Sequence, residues 1–375
     1  MTVIPCILAV LCFFTCAAGF ACARDTVKIG LITPLTGGMK AYGESVKNAF
    51  NIAVADYDKK GRYNIRALMA NDGNDAAEGV DAALKLITRD KVAAIVGPLT
   101  SRVAIAVGEI ATEHQVPMIT GTATHPNVTF SDGRRKSFVF RACFIDPFQG
   151  VLAANFALKN LKAKTAIILY NAGSDYSREM GEHFGNTFTN GTGTVVARDS
   201  YRTNADLPDV IEKMAPPVPD VIFLPDYYGK VASISRLLNQ KGIRSTLIGG
   251  DGWDSPDLLT MGGASIVGGY FVNHYSPDRG DALADSFIRR YKASHGVVPD
   301  VFAALAYDAT TILLNALDAA TRPRPEDIRR ALAATKGHRG ITGIISIDAK
   351  GDAVKTAVIM RVEESGFKYV TTINP

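Results

Sequence analysis

The sequence predicts an α/β protein made of two doubly wound parallel-sheet lobes, and three observations carry that expectation. At 375 residues the chain is too long for one compact core, which sets two domains as the starting point. From Val27 onward, short apolar runs alternate with segments of helical period, the pattern of a parallel sheet covered on both faces. The last three apolar runs follow one another with no helix between them, which favours a terminal hairpin-like addition over the eighth repeat of a (β/α)₈ barrel.

Taken in order, the chain opens with 23 residues that contain no Asp, Glu, Lys or Arg. The apolar run Ile4 to Phe20 leads to Ala21-Cys22-Ala23, a small-x-small pattern that predicts a signal peptide over 1–23 with cleavage after Ala23. Retention as a membrane anchor and lipid attachment at Cys22 stay open as alternatives. Cys6, Cys12, Cys16 and Cys22 all fall in this leader, so Cys143 alone stays in the mature chain, where it reads as a small buried hydrophobe.

Val27 to Thr33 is the first predicted strand, and Val46, Phe50, Val54 and Tyr57 form the apolar stripe of the helix that follows. Asn64 to Met69 is the second strand. Asp75 is the expected N-cap of a helix carrying Val80, Ala83, Leu84 and Ile87. Val92 to Val96 and Val116 to Thr120 are strands either side of a helix from Ser101 to His114. The cycle repeats with strands at 165–170, 194–200, 221–224, 247–249 and 270–272, and it closes with strands at 343–348, 357–362 and 369–373.

Ligands of open parallel sheets bind beyond the carboxyl ends of the strands, so the residues that follow each strand are the candidates. Gly97-Pro98-Leu99-Thr100-Ser101 follows the third strand; Ser101 can cap the next helix, and a hydroxyl at a helix N-terminus suits a carboxylate. Gly121-Thr122-Ala123-Thr124 follows the fourth strand and adds hydroxyls. Tyr176, Tyr227 and Asp251 follow strands of the second half. Asp254 reads as a cap for the helix beginning at 255 or 256. Hydroxyls on one lobe and an acid on the other match a solute that carries a negative and a positive group a few bonds apart, such as an α-amino acid.

Other function classes find no support in the residues. A net charge of +4 with no long basic block argues against a nucleic-acid partner. The phosphate-binding glycine loops, the Gly-x-Ser-x-Gly elbow and His-Glu-x-x-His are all missing from the sequence. The six histidines show no metal-ligand spacing. No enzyme activity, cofactor or metal is therefore expected.

With the loops assembled, the chain resembles the type I periplasmic solute-binding proteins of the branched-chain (hydrophobic) amino-acid ABC transporter family. The stretches that carry the resemblance are Ile29 to Gly37, Ala41-Tyr42-Gly43, Val96 to Ser101, Asp175-Tyr176-Ser177 and Gly249 to Trp253. The resemblance implies that Ser101 and Thr124, with backbone at Thr122, grip the ligand carboxylate and that Asp251 takes the α-ammonium. It implies that Tyr176 and Tyr227 close over the ligand, and that Tyr42, Leu99 and Phe302 lie near its side chain. Asn74 and Thr100 occupy the places where some relatives carry a disulfide. The resemblance further implies three hinge crossings near 142, 275 and 337, with 24–141 plus 276–337 as the first lobe and 142–275 plus 338–375 as the second. The function so implied is that of a monomeric periplasmic receptor delivering an apolar or branched-chain amino acid to an ABC permease. Amides, urea or aromatic carboxylates as ligands, and a sensor role, remain the alternatives.

Overall fold

The computed structural model describes residues 24–214 and 218–373. The expected leader, its cleavage site and Cys22 lie outside the described residues.

In chain order the first lobe contains β1 (Thr26–Thr33), α1 (Lys40–Asp58), β2 (Asn64–Asn71), α2 (Ala76–Leu84), β3 (Ala94–Val96), α3 (Ser101–Glu113) and β4 (Met118–Thr120). A small hairpin of β5 (Phe130–Ser131) and β6 (Arg134–Arg135) precedes β7 (Val139–Arg141). The five long-range strands pair in parallel in the order β2-β1-β3-β4-β7. Alternation along β1 explains the layers. Val27, Ile29 and Leu31 belong to the core that includes Val46 and Phe50 of α1, whereas Ile32 packs in the core of Ala83, Val103 and Val107 from α2 and α3. Both faces of the strand are buried, which is why it reads as one continuous apolar run.

The second lobe repeats the scheme with α4 (Asp146–Lys159), β8 (Thr165–Asn171), α5 (Asp175–Asn190), β9 (Thr194–Tyr201), α6 (Leu207–Glu212), β10 (Val221–Phe223), α7 (Tyr228–Gln240), β11 (Thr246–Gly249), α8 (Pro256–Gly262) and β12 (Tyr270–Asn273). The chain then supplies α9 (Ala282–His295), α10 (Val301–Ala319) and α11 (Pro325–Ala333), and ends with β13 (His338–Gly340), β14 (Gly343–Ile347), β15 (Ala353–Val354), β16 (Ala357–Glu363) and β17 (Gly366–Ile373). The second sheet runs β17-β16-β12-β11-β10-β8-β9. Its parallel part, β9-β8-β10-β11-β12, has the same winding as the first sheet, and the expected terminal hairpin β16–β17 extends it antiparallel. Two open sheets of like winding exclude the barrel. The apolar helix α10 packs on α1 inside the first lobe, which explains why it is apolar nearly all round.

Three segments connect the first sheet and its helices α9–α11 to the second sheet. The first follows β7, the second follows β12, and the third lies between α11 and β16. The short strands β13–β15 of this third segment are tied to the first lobe. Asp308 of α10 accepts from the backbone N–H of Ile341 at 2.6 Å and of Thr342 at 2.9 Å, and Arg141 pairs with Asp352 at 2.7 Å. The sequence reading missed β5–β7, β13 and β15, each only two or three residues long.

One glycine is required by the approach to the cleft. Gly97 ends β3 with φ +96°, and a Cβ there would lie 2.1 Å from the Ile32 carbonyl oxygen. Only glycine lets the chain turn from β3 into the loop that presents Leu99 and Ser101.

Candidate functional site

In a sheet wound 2-1-3-4-5 the order reverses between the first and third strands, and the loops beyond their carboxyl ends diverge to leave a crevice. Both lobes obey this rule, and the crevices face one another. The first lobe contributes α1, reached from β1, and the β3–α3 loop, which together supply Tyr42, Leu99 and Ser101. The second contributes the β8–α5 and β10–α7 loops, with Tyr176 and Tyr227, and the end of β11, with Asp251.

The lobes meet across the cleft. The Tyr42 hydroxyl donates to the Gly252 carbonyl at 2.6 Å, and its ring lies 4.0 Å from Phe302, 5.0 Å from Tyr228 and 6.2 Å from Tyr227 between centroids. Tyr227 in turn stacks on Tyr176 at 5.1 Å. Burial raises the pKa of Tyr42, Tyr176 and Tyr227 well above the usual tyrosine value, so all three remain neutral donors. A cavity of about 330 Å³ lies between the lobes, lined by Asn74, Thr100 and Ser101 on one side and Ser174, Tyr176 and Tyr227 on the other.

Asp251, almost fully buried, opens a short 3₁₀ turn at the end of β11. Its Oδ1 accepts from the Tyr176 hydroxyl at 3.0 Å and the Gln149 amide at 3.2 Å, while its Oδ2 lies 3.1 Å from Nε2 of His274. Gln149 also accepts from the Asp251 backbone N–H at 3.1 Å, which locks the turn against α4. Burial lowers the His274 pKa to about 4, so the ring is neutral near pH 7; it stacks on Phe144 at 3.4 Å. These partners of Asp251 are uncharged donors, which fix the carboxylate's direction without supplying a positive charge.

The hydroxyl side departs from the sequence reading in one respect. Ser101 does not cap α3; the N-cap is Thr100, and Ser101 is the first helical residue. The Ser101 Oγ accepts from the His125 backbone N–H at 3.1 Å, which leaves its own proton for an outside acceptor. The Thr122 hydroxyl donates to the Leu99 carbonyl at 2.6 Å, and the Thr122 N–H donates to the Thr120 hydroxyl at 3.2 Å, so Thr122 braces the loop that holds Leu99. Thr124 is buried, and its carbonyl accepts from the Asp146 N–H at 3.0 Å at the start of α4. Thr100 donates to the Asn74 side chain at 2.8 Å, so the two loops are joined by a hydrogen bond.

Asp254 is not a helix cap either. Ser255 caps α8, whereas Asp254 accepts from the Asn273 amide at 2.6 Å and from the Val301 N–H at 3.2 Å at the start of α10. Its carboxyl, raised to about 7 by burial and by Asp300 nearby, joins the second lobe to a first-lobe helix. Sequence reasoning missed Gln149, His274 and Asp146. The signal for His274 was available, because Asn273-His274 directly follows the apolar strand β12.

A cleft between two like-wound lobes, lined from both switch points, defines the two-lobed class of solute-binding proteins. The chain belongs to the periplasmic binding protein family, which it matches over residues 26–367. It is similar to the Leu/Ile/Val-binding protein BraC3 of Rhizobium johnstonii, at 30% identity over 92% of this chain and 93% of that one. Among solved structures it resembles the leucine binding protein LivK of Thermotoga maritima, at 35% identity and a TM-score of 0.85, covering 93% of this chain and 99% of that one. It also resembles the branched-chain amino acid transporter substrate binding protein LivJ of Streptococcus pneumoniae in complex with isoleucine, at 29% identity and a TM-score of 0.87, covering 94% of this chain and all of that one.

Proposed function

We propose that this protein is the exported, non-enzymatic receptor of an ABC importer and that it closes its lobes around an α-amino acid with an apolar, branched side chain. The observation that carries the reading is Asp251. A buried carboxylate held only by neutral donors is costly unless a cation completes it, and a ligand ammonium would do so. Ser101 and Thr124, on the other lobe, would take the ligand carboxylate, with Thr122 shaping the loop. Tyr42, Leu99 and Phe302 would bound the side chain, and Tyr176 and Tyr227 would cover it. The similarity to leucine- and isoleucine-binding relatives supports the side-chain class.

The lobes in this reading are 24–141 with the stretch from 276 to about 354, and 142–275 with the remainder. We put the third crossing near Lys355, a choice that the anchoring of β13–β15 on Asp308 and Arg141 supports. Hinge closure over these three segments would present a surface to a membrane permease. The test is calorimetric titration with L-leucine, L-isoleucine and the des-amino analogue 4-methylpentanoate. Binding of the amino acids with at least tenfold preference over the analogue is expected; equal or tighter binding of the analogue would overturn the reading.

A further inference from the structure

Asp146 is the first residue of α4 and is fully buried, yet neither of its carboxylate oxygens makes a well-formed hydrogen bond, although the Thr124 side chain lies beside it. An acid in the first turn of a helix is ordinarily explained by the backbone donors it caps or by the helix dipole. Asp146 accepts from no backbone donor, and burial removes the solvent that would otherwise hydrate it. Arg141, the basic group near it, is committed elsewhere: it donates to the Ala123 and His125 carbonyls and pairs with Asp352. Glu179, the other acid within electrostatic range besides Asp251, faces His183 at 3.2 Å and His125 at 3.7 Å.

Asp146 sits beside the turn that carries Asp251, behind the residues that line the cavity. Its carboxyl lies beside the Thr124 side chain and within electrostatic range of Asp251, Tyr176 and Tyr227. Gln149, one turn further along the same face of α4, already reaches Asp251. The first turn of α4 thus presents one side chain that orients Asp251 and one that, among the described residues, has the Thr124 side chain beside it and no ion-pair partner. Burial, reinforced by the charge of Asp251, raises the Asp146 pKa well above the usual carboxylate value. A group in that position is poised to ionise when a cation arrives.

We propose that Asp146 is a second ammonium-recognition residue, so that the cationic group of the ligand is held between the carboxylates of Asp146 and Asp251. This rests on the reading of the ligand as an amino acid. It adds that the preference for an amine over its des-amino analogue is set by two carboxylates from different parts of the chain. Asp251 comes from the end of β11, and Asp146 from α4, directly after the first hinge segment.

The test is Asp146→Asn, which keeps shape and removes charge, titrated with L-leucine and with 4-methylpentanoate beside the unaltered protein. The expected result is a ten- to hundredfold loss of leucine affinity with 4-methylpentanoate unchanged or tighter, so that discrimination between the two collapses. Unchanged leucine affinity overturns the inference, and so does an equal loss for both ligands, which marks a structural role. A protein that shows no preference for leucine before substitution refutes the amino-acid reading itself, and the two failures are thereby distinguished. Should the Asn variant not fold, Asp146→Ser carries the same comparison.

Discussion

Replacing Asp251 by Asn isolates the charge of the buried acid at the end of β11. The carboxylate Oδ1 receives two donors, Tyr176 and Gln149, and an amide oxygen can receive the same two. The new amide nitrogen would then face Nε2 of His274, which donates to Oδ2 in the native protein. His274 can answer by moving its proton to Nδ1, which has no partner. The fold of the unliganded protein is therefore expected to survive, with its melting temperature unchanged or higher, because a buried charge has been removed. Ligand binding loses a charge-assisted hydrogen bond of about 1.5–3 kcal/mol, roughly a ten- to 150-fold weakening for an amino acid. Isothermal titration with L-leucine, paired with thermal unfolding of the unliganded variant, reads both quantities. Undiminished leucine affinity in a folded variant would refute the assignment of Asp251, and a collapse of the unliganded fold would show that the carboxylate serves structure first.

Two further perturbations address closure and pH. Tyr42→Phe removes the hydroxyl that bridges to Gly252 and leaves that carbonyl without its donor, at a cost of about 1–2 kcal/mol to the closed cleft. Leucine affinity should fall roughly five- to thirtyfold, with small-angle scattering showing a more open average; unaltered affinity would mean that this bond does not help hold the lobes together. Asp254, raised to about 7 in the fold, is protonated at acid pH and becomes charged at a cost as pH rises from about 4 to about 7. Asp254→Asn should therefore match the native melting temperature at pH 4 and exceed it at pH 8, by a difference on the order of 2–4 kcal/mol in stability. Equal offsets at both pH values would contradict that direction.

Much of the architecture was legible in the sequence for a physical reason. Parallel strands buried on both faces, such as β1 and β8, are unbroken apolar runs, and the loops that end them announce themselves with glycine, proline and hydroxyl residues. The strand-end rule led to Ser101, Tyr176, Tyr227 and Asp251, and the fold does bring all four to the carboxyl ends of parallel strands. Strands of two or three residues, such as β7 and β15, are too short for their period to stand out from a loop. The supporting shell was hidden by distance along the chain. Gln149 reaches Asp251 across 102 positions and His274 reaches it across 23, and only the packing of α4 and β12 brings them together. Asp146 and Gln149 did leave a trace, as two polar residues on the buried face of a helix that otherwise buries Leu152, Ala153 and Phe156. The Ser101 reading failed by one position. Thr100 takes the N-cap place but turns its hydroxyl to Asn74, a choice set by the neighbouring loop.

The most direct test of the central claim is a crystal structure of the protein with L-leucine. The ligand carboxylate is expected within about 2.7–3.2 Å of the Ser101 hydroxyl on the first lobe, and the ammonium within the same range of Asp251 on the second. A leucine bound in the cleft with its ammonium away from Asp251, or bound outside the cleft altogether, would contradict the account.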